Sequence, residues 1–235
     1  MDFTLNNISK TSLNWLFPQK CLICSDVPKH NHPCCRQCYL ALPFYSSACH
    51  QCGQPLLASS DFCGRCINNS PHYDACFCPF EYKDAIKGLI QNFKYNEKPE
   101  LATNLAALLE FELFENNISL PDLIIPVPLH ISRLRSRGYN QSSLIAKKVS
   151  KNLNIPISDN FISRHRNTDA QAGLSFKKRQ KNLKNSFRIK NNFPAKSVAL
   201  IDDVVTSGTT VNEISKILKK NGVDYIQVWG LAHTI

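Results

Sequence analysis

The stretch of sequence that decides the fold is Val198-Ala199-Leu200-Ile201-Asp202-Asp203-Val204-Val205-Thr206-Ser207-Gly208-Thr209-Thr210. Its first four residues are apolar, the pattern of a buried strand, and they lead to two adjacent carboxylates, Asp202 and Asp203, at the predicted strand end. Four hydroxyl side chains around Gly208 then open the next predicted helix. This order of strand, loop and helix favours a parallel α/β sheet, in which ligands bind beyond the carboxyl ends of the strands.

The loop over residues 206–210 has the chemistry of an anion cradle. Backbone N–H groups at a helix N-terminus point toward an anion, and the hydroxyl groups add further donors. The carboxylates of Asp202 and Asp203 suit vicinal sugar hydroxyls, with a divalent cation in reach. The alternative is an ordinary helix cap preceded by exposed acids. The two common glycine-rich phosphate motifs, Gly-x-Gly-x-x-Gly and Gly-x-x-x-x-Gly-Lys, are absent from the sequence.

Apolar periodicity outside this stretch predicts further alternating elements. The predicted helices cover Asp84 to Tyr95, a segment opened by Pro99, Asn140 to Leu153, and Thr209 to Lys220. The predicted strands cover Leu123 to Val127, Ser197 to Ile201, and Tyr225 to Leu231. The two loops after Val127 and Ile201 are therefore expected to meet at one edge of a parallel sheet.

All 11 cysteines lie between Cys21 and Cys78. Eight of them form four pairs with a two-residue gap, which suits four-thiolate zinc sites, and we expect these eight to bind two structural zinc ions: Cys21, Cys24, Cys35, Cys38, Cys49, Cys52, Cys63 and Cys66. Neighbouring pairs are expected to share an ion, although the spacing leaves interleaved pairing and four redox dithiols as alternatives. The gap favours Cys35 over Cys34 as a ligand, and Cys76 and Cys78 are predicted to be buried strand residues.

Further motifs give the chain a family resemblance. The segment 198–210 resembles the phosphoribosyl pyrophosphate (PRPP) signature of type I phosphoribosyltransferases. Residues 126–130, followed by Arg133 and by 137–141, are similar to the pyrophosphate-side loop of the ComF/GntX family of competence-associated proteins. The pair at 94–95 and the residues Gln171, Arg179, Asn182 and Phe187 also fit that family, as does the leading double zinc ribbon. The resemblance spans Pro18 to the last strand, with Ser207 standing where threonine is frequent.

The resemblance implies a type I phosphoribosyltransferase-like parallel sheet flanked by helices, preceded by a small Cys-rich double zinc ribbon. It also implies PRPP binding, in which Asp202 and Asp203 hold the ribose hydroxyls directly or through Mg²⁺, and residues 206–210 wrap the 5-phosphate. The implied site has three parts, which are the PRPP signature Asp202, Asp203, Val204, Val205, Thr206, Ser207, Gly208, Thr209 and Thr210, the pyrophosphate loop Arg133, Arg137, Gly138 and Asn140, and the lid Gln171, Arg179 and Asn182.

Catalysis is left open by the sequence. A phosphoribosyltransferase needs electrostatic stabilisation of departing pyrophosphate and no protein nucleophile. His130 and His165 are the candidates for a general base, and each fits better as an ordinary loop histidine. No N-terminal catalytic cysteine supports a glutamine amidotransferase.

Residues 161–190 form a basic segment with nine Lys or Arg against one acid, Asp169, a net +8 within a chain total of +10. Such a charge run, with Phe161, Phe176 and Phe187 between the bases, favours salt-sensitive binding of single-stranded nucleic acid. The alternative is a solvated lid that reaches only PRPP. The predicted nucleic-acid contacts are Arg164, Arg166, Lys177, Lys178, Lys181 and Lys184.

The whole chain of 235 residues has 43% hydrophobic and 20% charged residues, which excludes wholesale disorder and collagen-like structure. The expected domains are an N-terminal helical segment at 1–17, the double zinc ribbon at 18–70 and the phosphoribosyltransferase-like domain at 71–235. The first residues lack a basic leader and a long apolar core, so the expected location is cytoplasmic, with peripheral association at the inner membrane left open.

The function expected from the resemblance and the basic segment is that of a PRPP-binding competence protein. It would handle incoming single-stranded DNA during natural transformation, with the inner-membrane DNA-uptake machinery as a further partner. An active phosphoribosyltransferase with an unknown acceptor and a PRPP-sensing regulator of nucleic-acid binding are the alternatives.

Overall fold

A computed structural model describes residues 20–28, 32–56, 60–96, 98–165, 186–189 and 195–234. The chain forms two compact units, residues 1–42 and residues 43–235. The predicted helical segment at 1–17 lies outside the described residues, and the domain boundaries after residues 17 and 70 stay predictions. No helix in the described ranges is long and apolar enough to cross a bilayer.

The described part of the first unit is a zinc-ribbon knuckle followed by the short helix α1, Arg36–Leu40. The backbone N–H of Ser25 donates to the carbonyl of Cys21 at 3.0 Å, and the N–H of Cys21 donates to the carbonyl of Asp26 at 2.6 Å. These bonds close the chain into a tight turn at the first cysteine pair.

The second unit alternates strands and helices in the predicted manner. Its helices are α2 Gly64–Asn68, α3 Asp84–Tyr95, α4 Leu101–Glu115, α5 Ile131–Arg137, α6 Gln141–Leu153 and α7 Thr209–Lys220. Its strands are β1 Ala75–Phe77, β2 Phe80–Glu81, β3 Leu123–Pro126, β4 Ile162–Arg164, β5 Phe187–Ile189, β6 Ser197–Val205 and β7 Tyr225–His233.

Five of the strands form one parallel sheet in the order β1-β7-β6-β3, with β2 also paired to β7. The register pairs Pro126, the last residue of β3, with Ile201 of β6. Strand β6 therefore runs four residues past the end of β3, and Asp202 and Asp203 lie beside the loop that follows β3. The predicted class, a parallel sheet flanked by helices after a Cys-rich double zinc ribbon, is confirmed.

The helix faces predicted from periodicity are the buried ones. In α3 the buried residues are Ile86, Leu89, Ile90 and Phe93, and in α7 they include Val211, Ile214 and Leu218. Cys76 and Cys78 are buried as predicted. The N–H of Trp229, a fully buried indole, donates to the side-chain oxygen of Gln227, so this large core residue leaves no unpaired donor.

The prediction that the strand ends at Ile201 is wrong. Strand β6 continues to Val205, because β7 extends to His233 and pairs with it as far as Val205. The two acids consequently lie within a regular strand rather than at its end. Sequence periodicity also misses the antiparallel pair β4–β5, in which Arg164 is the partner of Phe187.

Candidate anion-binding cleft and zinc centres

The acidic pair is held by partners from two helices. The ammonium group of Lys94, at the end of α3, lies 2.9 Å from Oδ1 of Asp203. The hydroxyl of Ser142, in the first turn of α6, donates to Oδ1 of Asp202 at 2.9 Å, and the backbone N–H of Asp203 donates to the same oxygen at 3.0 Å. Both carboxylates are thus fixed before any ligand arrives.

Burial sets the protonation of this pair. Desolvation, with the neighbouring charge of Asp203, raises the pKa of Asp202 to about 7. Burial works to lower the pKa of Lys94, but its attraction to Asp203 outweighs that effect and its pKa is raised. Lys94 therefore stays charged, while Asp202 titrates in the physiological range.

The loop after β6 leads directly into α7. Gly208 caps this helix with a backbone φ of +68°, a left-handed conformation that favours glycine. The hydroxyls of Ser207 and Thr209 lie 2.8 Å apart. The first N–H groups of α7 have no carbonyl partner within the helix, so the loop offers donors to an anion as the sequence predicts.

A second wall of the cleft is built by α5, the short helix after β3. Nδ1 of His130 accepts a hydrogen bond from the N–H of Ser132 at 3.2 Å, and Gly138 ends the helix with φ +76°. The helix carries Arg133 and Arg137, and the guanidinium of Arg137 lies 5.2 Å from the ring centre of Tyr95. Burial and the neighbouring Arg137 lower the pKa of Arg133. His130 thus has a structural task as a helix cap.

Arg164 reaches the same cleft from β4. The residue is 8% exposed, and its guanidinium lies 5.7 Å from the ring centre of Phe187. Burial, and next the charge of Arg133, lowers the pKa of Arg164 to about 10. Burial is the larger cause, and the repulsion by Arg133 adds to it because both arginines line the same cleft.

These groups line one cleft of about 700 Å³. Its lining includes Tyr82, Lys94, Tyr95, Leu129, Arg133, Arg137, Gln141, Ser142, Arg164, Asp202, Asp203, Val204, Thr206, Thr210 and Thr234. The lining side chains carry four basic and two acidic groups. The arrangement suits a ligand with a vicinal diol or a cation at the acids and several negative charges at the arginines and the helix N-terminus.

The predicted site residues outside the zinc centres fall into four groups. Arg133, Arg137, Arg164, Asp202, Asp203, Val204, Thr206 and Thr210 line the cleft. Val205, Ser207, Gly208 and Thr209, from the end of β6 to the start of α7, are not among the lining residues. Gly138 ends α5, and Asn140 caps α6 and donates from its amide to the carbonyl of Val127 at 3.0 Å, so both shape the loop after β3. The residues that lie outside the described part of the chain are Gln171, Arg179, Asn182, Arg166, Lys177, Lys178, Lys181 and Lys184.

Sequence reasoning gives Lys94, Tyr95 and Gln141 no role beyond the family resemblance, and it does not single out Ser142 or Tyr82. The one signal for Ser142 is its place in the polar first turn of α6, two residues after the cap. The contact between Lys94 and Asp203 spans 109 residues of sequence and leaves no local pattern.

The eight predicted cysteine ligands form two clusters, each with its four sulfur atoms within 4.8 Å of one another: Cys21, Cys24, Cys35 and Cys38, and then Cys49, Cys52, Cys63 and Cys66. Sulfurs 3.7 Å apart in the first cluster and 3.6 Å apart in the second match the separation of about 3.8 Å around a tetrahedral zinc ion. The N–H of Cys35 donates to the sulfur of Cys21, and the N–H of Cys63 donates to that of Cys49, both at 3.3 Å. Both clusters fit structural zinc, and the neighbouring pairing is confirmed.

Fold and sites together define a double-zinc-ribbon protein with a parallel α/β domain and a cleft lined by basic and acidic side chains beside β6. The double zinc ribbon domain model matches residues 12–67. Competence protein F of Haemophilus influenzae is 42% identical over 191 residues, which cover 78% of this chain and 83% of that protein. The chain belongs to the competence protein F family.

The DNA utilization protein YhgH of Escherichia coli is 35% identical over 205 residues, covering 86% of this chain and 90% of that protein. Among solved structures, a purine phosphoribosyltransferase from Pyrococcus horikoshii aligns with a TM-score of 0.34 and 20% identity over 55% of this chain and 70% of that one. That structural likeness is low, and the fold assignment depends on the sheet itself.

Proposed function

We propose that the cleft binds PRPP and that the protein takes part in competence by handling single-stranded DNA. The carrying observation is that Asp202 and Asp203 of β6, Thr206 and Thr210 of the segment that follows, and the two α5 arginines line one cleft. The acids would hold the ribose hydroxyls, the loop would hold the 5-phosphate, and Arg133 and Arg137 would bind the pyrophosphate. The names of the two relatives, a competence protein and a DNA utilization protein, support the wider role.

Magnesium would enter the cleft together with PRPP. Oxygen donors of the carboxylate type suit this ion, and the pyrophosphate supplies further oxygens. Once bound, the ion would screen the charge of the pyrophosphate. The residues of the chain itself orient the ligand, because Lys94 and Ser142 fix the two carboxylates and Asn140 fixes the loop after β3.

Calorimetric titration of PRPP with Mg²⁺ into the zinc-loaded protein tests the proposal. The matched variants are Asp202→Asn/Asp203→Asn, which removes both carboxylate charges, and Asp159→Asn, which removes a charge of similar type from an exposed ion pair with Lys147. Binding that is lost in the first and kept in the second supports the PRPP site. Equal binding by all three proteins would refute it.

Single-stranded DNA binding is supported by the basic segment at 161–190 and its net charge of +8. Arg164 is buried and lines the cleft, so the DNA contacts that we propose for this segment are Arg166 and the lysines that follow it. Fluorescence anisotropy with a labelled oligonucleotide should show affinity that falls linearly with log salt. No binding of the single-stranded oligonucleotide at low salt would refute the proposed DNA binding. Association with the inner-membrane uptake machinery belongs to the same proposal, and co-purification from membranes tests it.

Phosphoribosyl transfer is the second candidate, favoured by Tyr82 and Tyr95 on the cleft wall, whose flat rings suit a cyclic acceptor. Release of pyrophosphate from PRPP upon addition of an acceptor would establish turnover. PRPP hydrolysis or transfer that stays at the background rate with purine, pyrimidine and amine acceptors would leave binding as the function.

A further inference from the structure

The segment just after the second cysteine cluster is bonded to that cluster's knuckle. The N–H of Cys76 donates to the carbonyl of His50 at 2.9 Å. The side-chain amide of Gln51 donates to the carbonyl of Tyr73 at 3.4 Å. His50 and Gln51 are the two residues between the ligands Cys49 and Cys52, so the position of the knuckle determines the position of segment 72–76.

The same segment is bonded to α7, the helix that follows the loop at 206–210. The N–H of His72 donates to Oδ1 of Asn212, in the first turns of α7, at 2.7 Å. The ammonium group of Lys219, in the last turn of the helix, lies 2.6 Å from Oδ2 of Asp74. The first turns and the last turn of α7 are therefore bonded to His72 and Asp74, two residues that follow the zinc knuckle.

Tyr73 extends this connection to the loop itself. Its side chain is almost fully buried, and a Cβ atom added at Gly208 would lie 2.8 Å from its hydroxyl oxygen. The turn at Gly208 thus packs directly on the Tyr73 hydroxyl, with room for a hydrogen and not for a carbon. A shift of Tyr73 would therefore remove the contact that holds Gly208, the N-cap residue of α7, in place.

A second connection runs through the end of β7. A Cβ atom at Gly53, which follows Cys52, would lie 3.4 Å from the ring of His233. The next residue, Thr234, donates its N–H to the carbonyl of Val205 at 3.0 Å, immediately before the loop. The knuckle is therefore connected to the chain on both sides of the loop at 206–210, through segment 72–76 on one side and through the end of β7 on the other.

We propose that the second cysteine cluster, when it holds zinc, is the positioning element of the anion loop at 206–210. Tyr73 and Asn212 are the positioning residues through which it acts. The inference rests on the proposed phosphate-binding role of that loop. The proposed positioning role belongs to the second cluster alone, because that cluster lies in the same compact unit as the loop and the first cluster lies in the other unit.

The test compares Cys63→Ser with Cys35→Ser in the full chain. The two positions are matched, because each is the third ligand of its cluster and each donates its N–H to the first ligand's sulfur at 3.3 Å. Zinc content, calorimetric binding of ribose 5-phosphate, and amide hydrogen exchange over 206–212 are measured. We expect Cys63→Ser to weaken the binding of ribose 5-phosphate about tenfold and to speed amide hydrogen exchange over 206–212. Losses of about this size follow when residues that orient a site from outside it are altered. Cys35→Ser should leave both unchanged.

A milder pair of variants keeps both zinc centres. Asn212→Ala removes the acceptor for the His72 N–H and should weaken ribose 5-phosphate binding about threefold, the effect of one lost hydrogen bond. Asn221→Ala is the control. Asn221 follows the last residue of the same helix, and its side-chain amide donates to the carbonyl of Ile217. This variant should bind ribose 5-phosphate like the unaltered protein.

Equal losses in the two cysteine variants, or normal binding by Cys63→Ser, would overturn the inference. If Cys63→Ser does not fold, the Asn212→Ala variant decides, and affinity equal to that of Asn221→Ala overturns it. If the unaltered protein binds neither ribose 5-phosphate nor PRPP with Mg²⁺, the proposed function fails by itself. Amide exchange over 206–212 then decides the positioning role, since loop exchange equal in Cys63→Ser and Cys35→Ser would overturn it.

Discussion

Replacing Gly208 by alanine should impose two separable penalties on the second unit. The first is conformational, because the backbone φ of +68° places an L-residue in the left-handed region at a cost of about 1 kcal/mol. The second is steric, because the new Cβ would lie 2.8 Å from the Tyr73 hydroxyl, which is well inside van der Waals contact. Overlap in a packed region costs about 1–3 kcal/mol, so the free energy of unfolding should fall by about 2–4 kcal/mol.

Tyr73→Phe removes the steric penalty and leaves the conformational one. The next atom of Tyr73 that the Cβ meets is Cζ, at 3.8 Å, an ordinary contact distance. In the Tyr73→Phe background, Gly208→Ala should therefore cost about 1 kcal/mol. The two substitutions should be coupled by about 1–3 kcal/mol, with the double variant more stable than the sum of the single ones predicts.

Gly222→Ala is the control for this cycle. Gly222 has a φ of +85° and no heavy atom within 4 Å of an added Cβ. Its replacement should cost about 1 kcal/mol in both backgrounds. Urea unfolding of the zinc-saturated proteins, followed by tryptophan fluorescence, measures each free energy. A cost for Gly208→Ala that is the same with and without the Tyr73→Phe substitution would refute the contact between the loop and the tyrosine.

Three further predictions concern buried groups. Lys94→Met leaves the charge of Asp203 buried without its partner and should lower the free energy of unfolding by about 3 kcal/mol in urea, with Lys94→Met/Asp203→Asn recovering part of it. Because the folded pKa of Asp202 is raised to about 7, wild-type stability should fall as pH rises from 4 to 7 and level off above it. Burial also raises the pKa of Glu110 to about 7, so Asp202→Asn should reduce that fall without abolishing it, and parallel melting-temperature curves for the two proteins across this range would contradict the role of Asp202. Gln227→Leu leaves the buried indole N–H of Trp229 unpaired and should cost about 2 kcal/mol, whereas an unchanged urea midpoint would exclude the hydrogen bond as a stabilising contact.

The helices and strands that could be predicted are those with a local pattern of apolar residues. The apolar spacing of Ile86, Ile90 and Phe93 specifies a helix face, and the observed helix Asp84–Tyr95 has the predicted bounds. The end of β6 has no such local signal. Whether residues 202–205 are a strand depends on the backbone of β7 beside them, which pairs Val205 with His233. A strand end set by its neighbour cannot be read from the strand's own sequence.

The zinc centres show the same division between local and distant information. The two-residue gaps identify the ligands, since the backbone turn that brings two thiolates together is local. The pairing of the knuckles is set by the fold, and spacing alone left two arrangements open. The spacing also gave no sign that Cys49, Cys52 and Cys66 belong to the same buried cluster as Val205 and Val228, the core beneath the sheet.

Arg164 shows what a charge pattern leaves open. Its position in a run of bases predicts a contact with nucleic acid, and the structure adds that Arg164, in β4, lines the same cleft as Arg133. The four basic and two acidic side chains that line the cleft have a net charge of +2 when all are ionised. A ligand with a phosphate and a pyrophosphate carries more negative charge than that, since a phosphomonoester alone contributes about −1.5 to −2 near neutral pH. The remaining negative charge is what a bound Mg²⁺ would neutralise, so the proposed ligand should bind more weakly to this cleft when the ion is chelated.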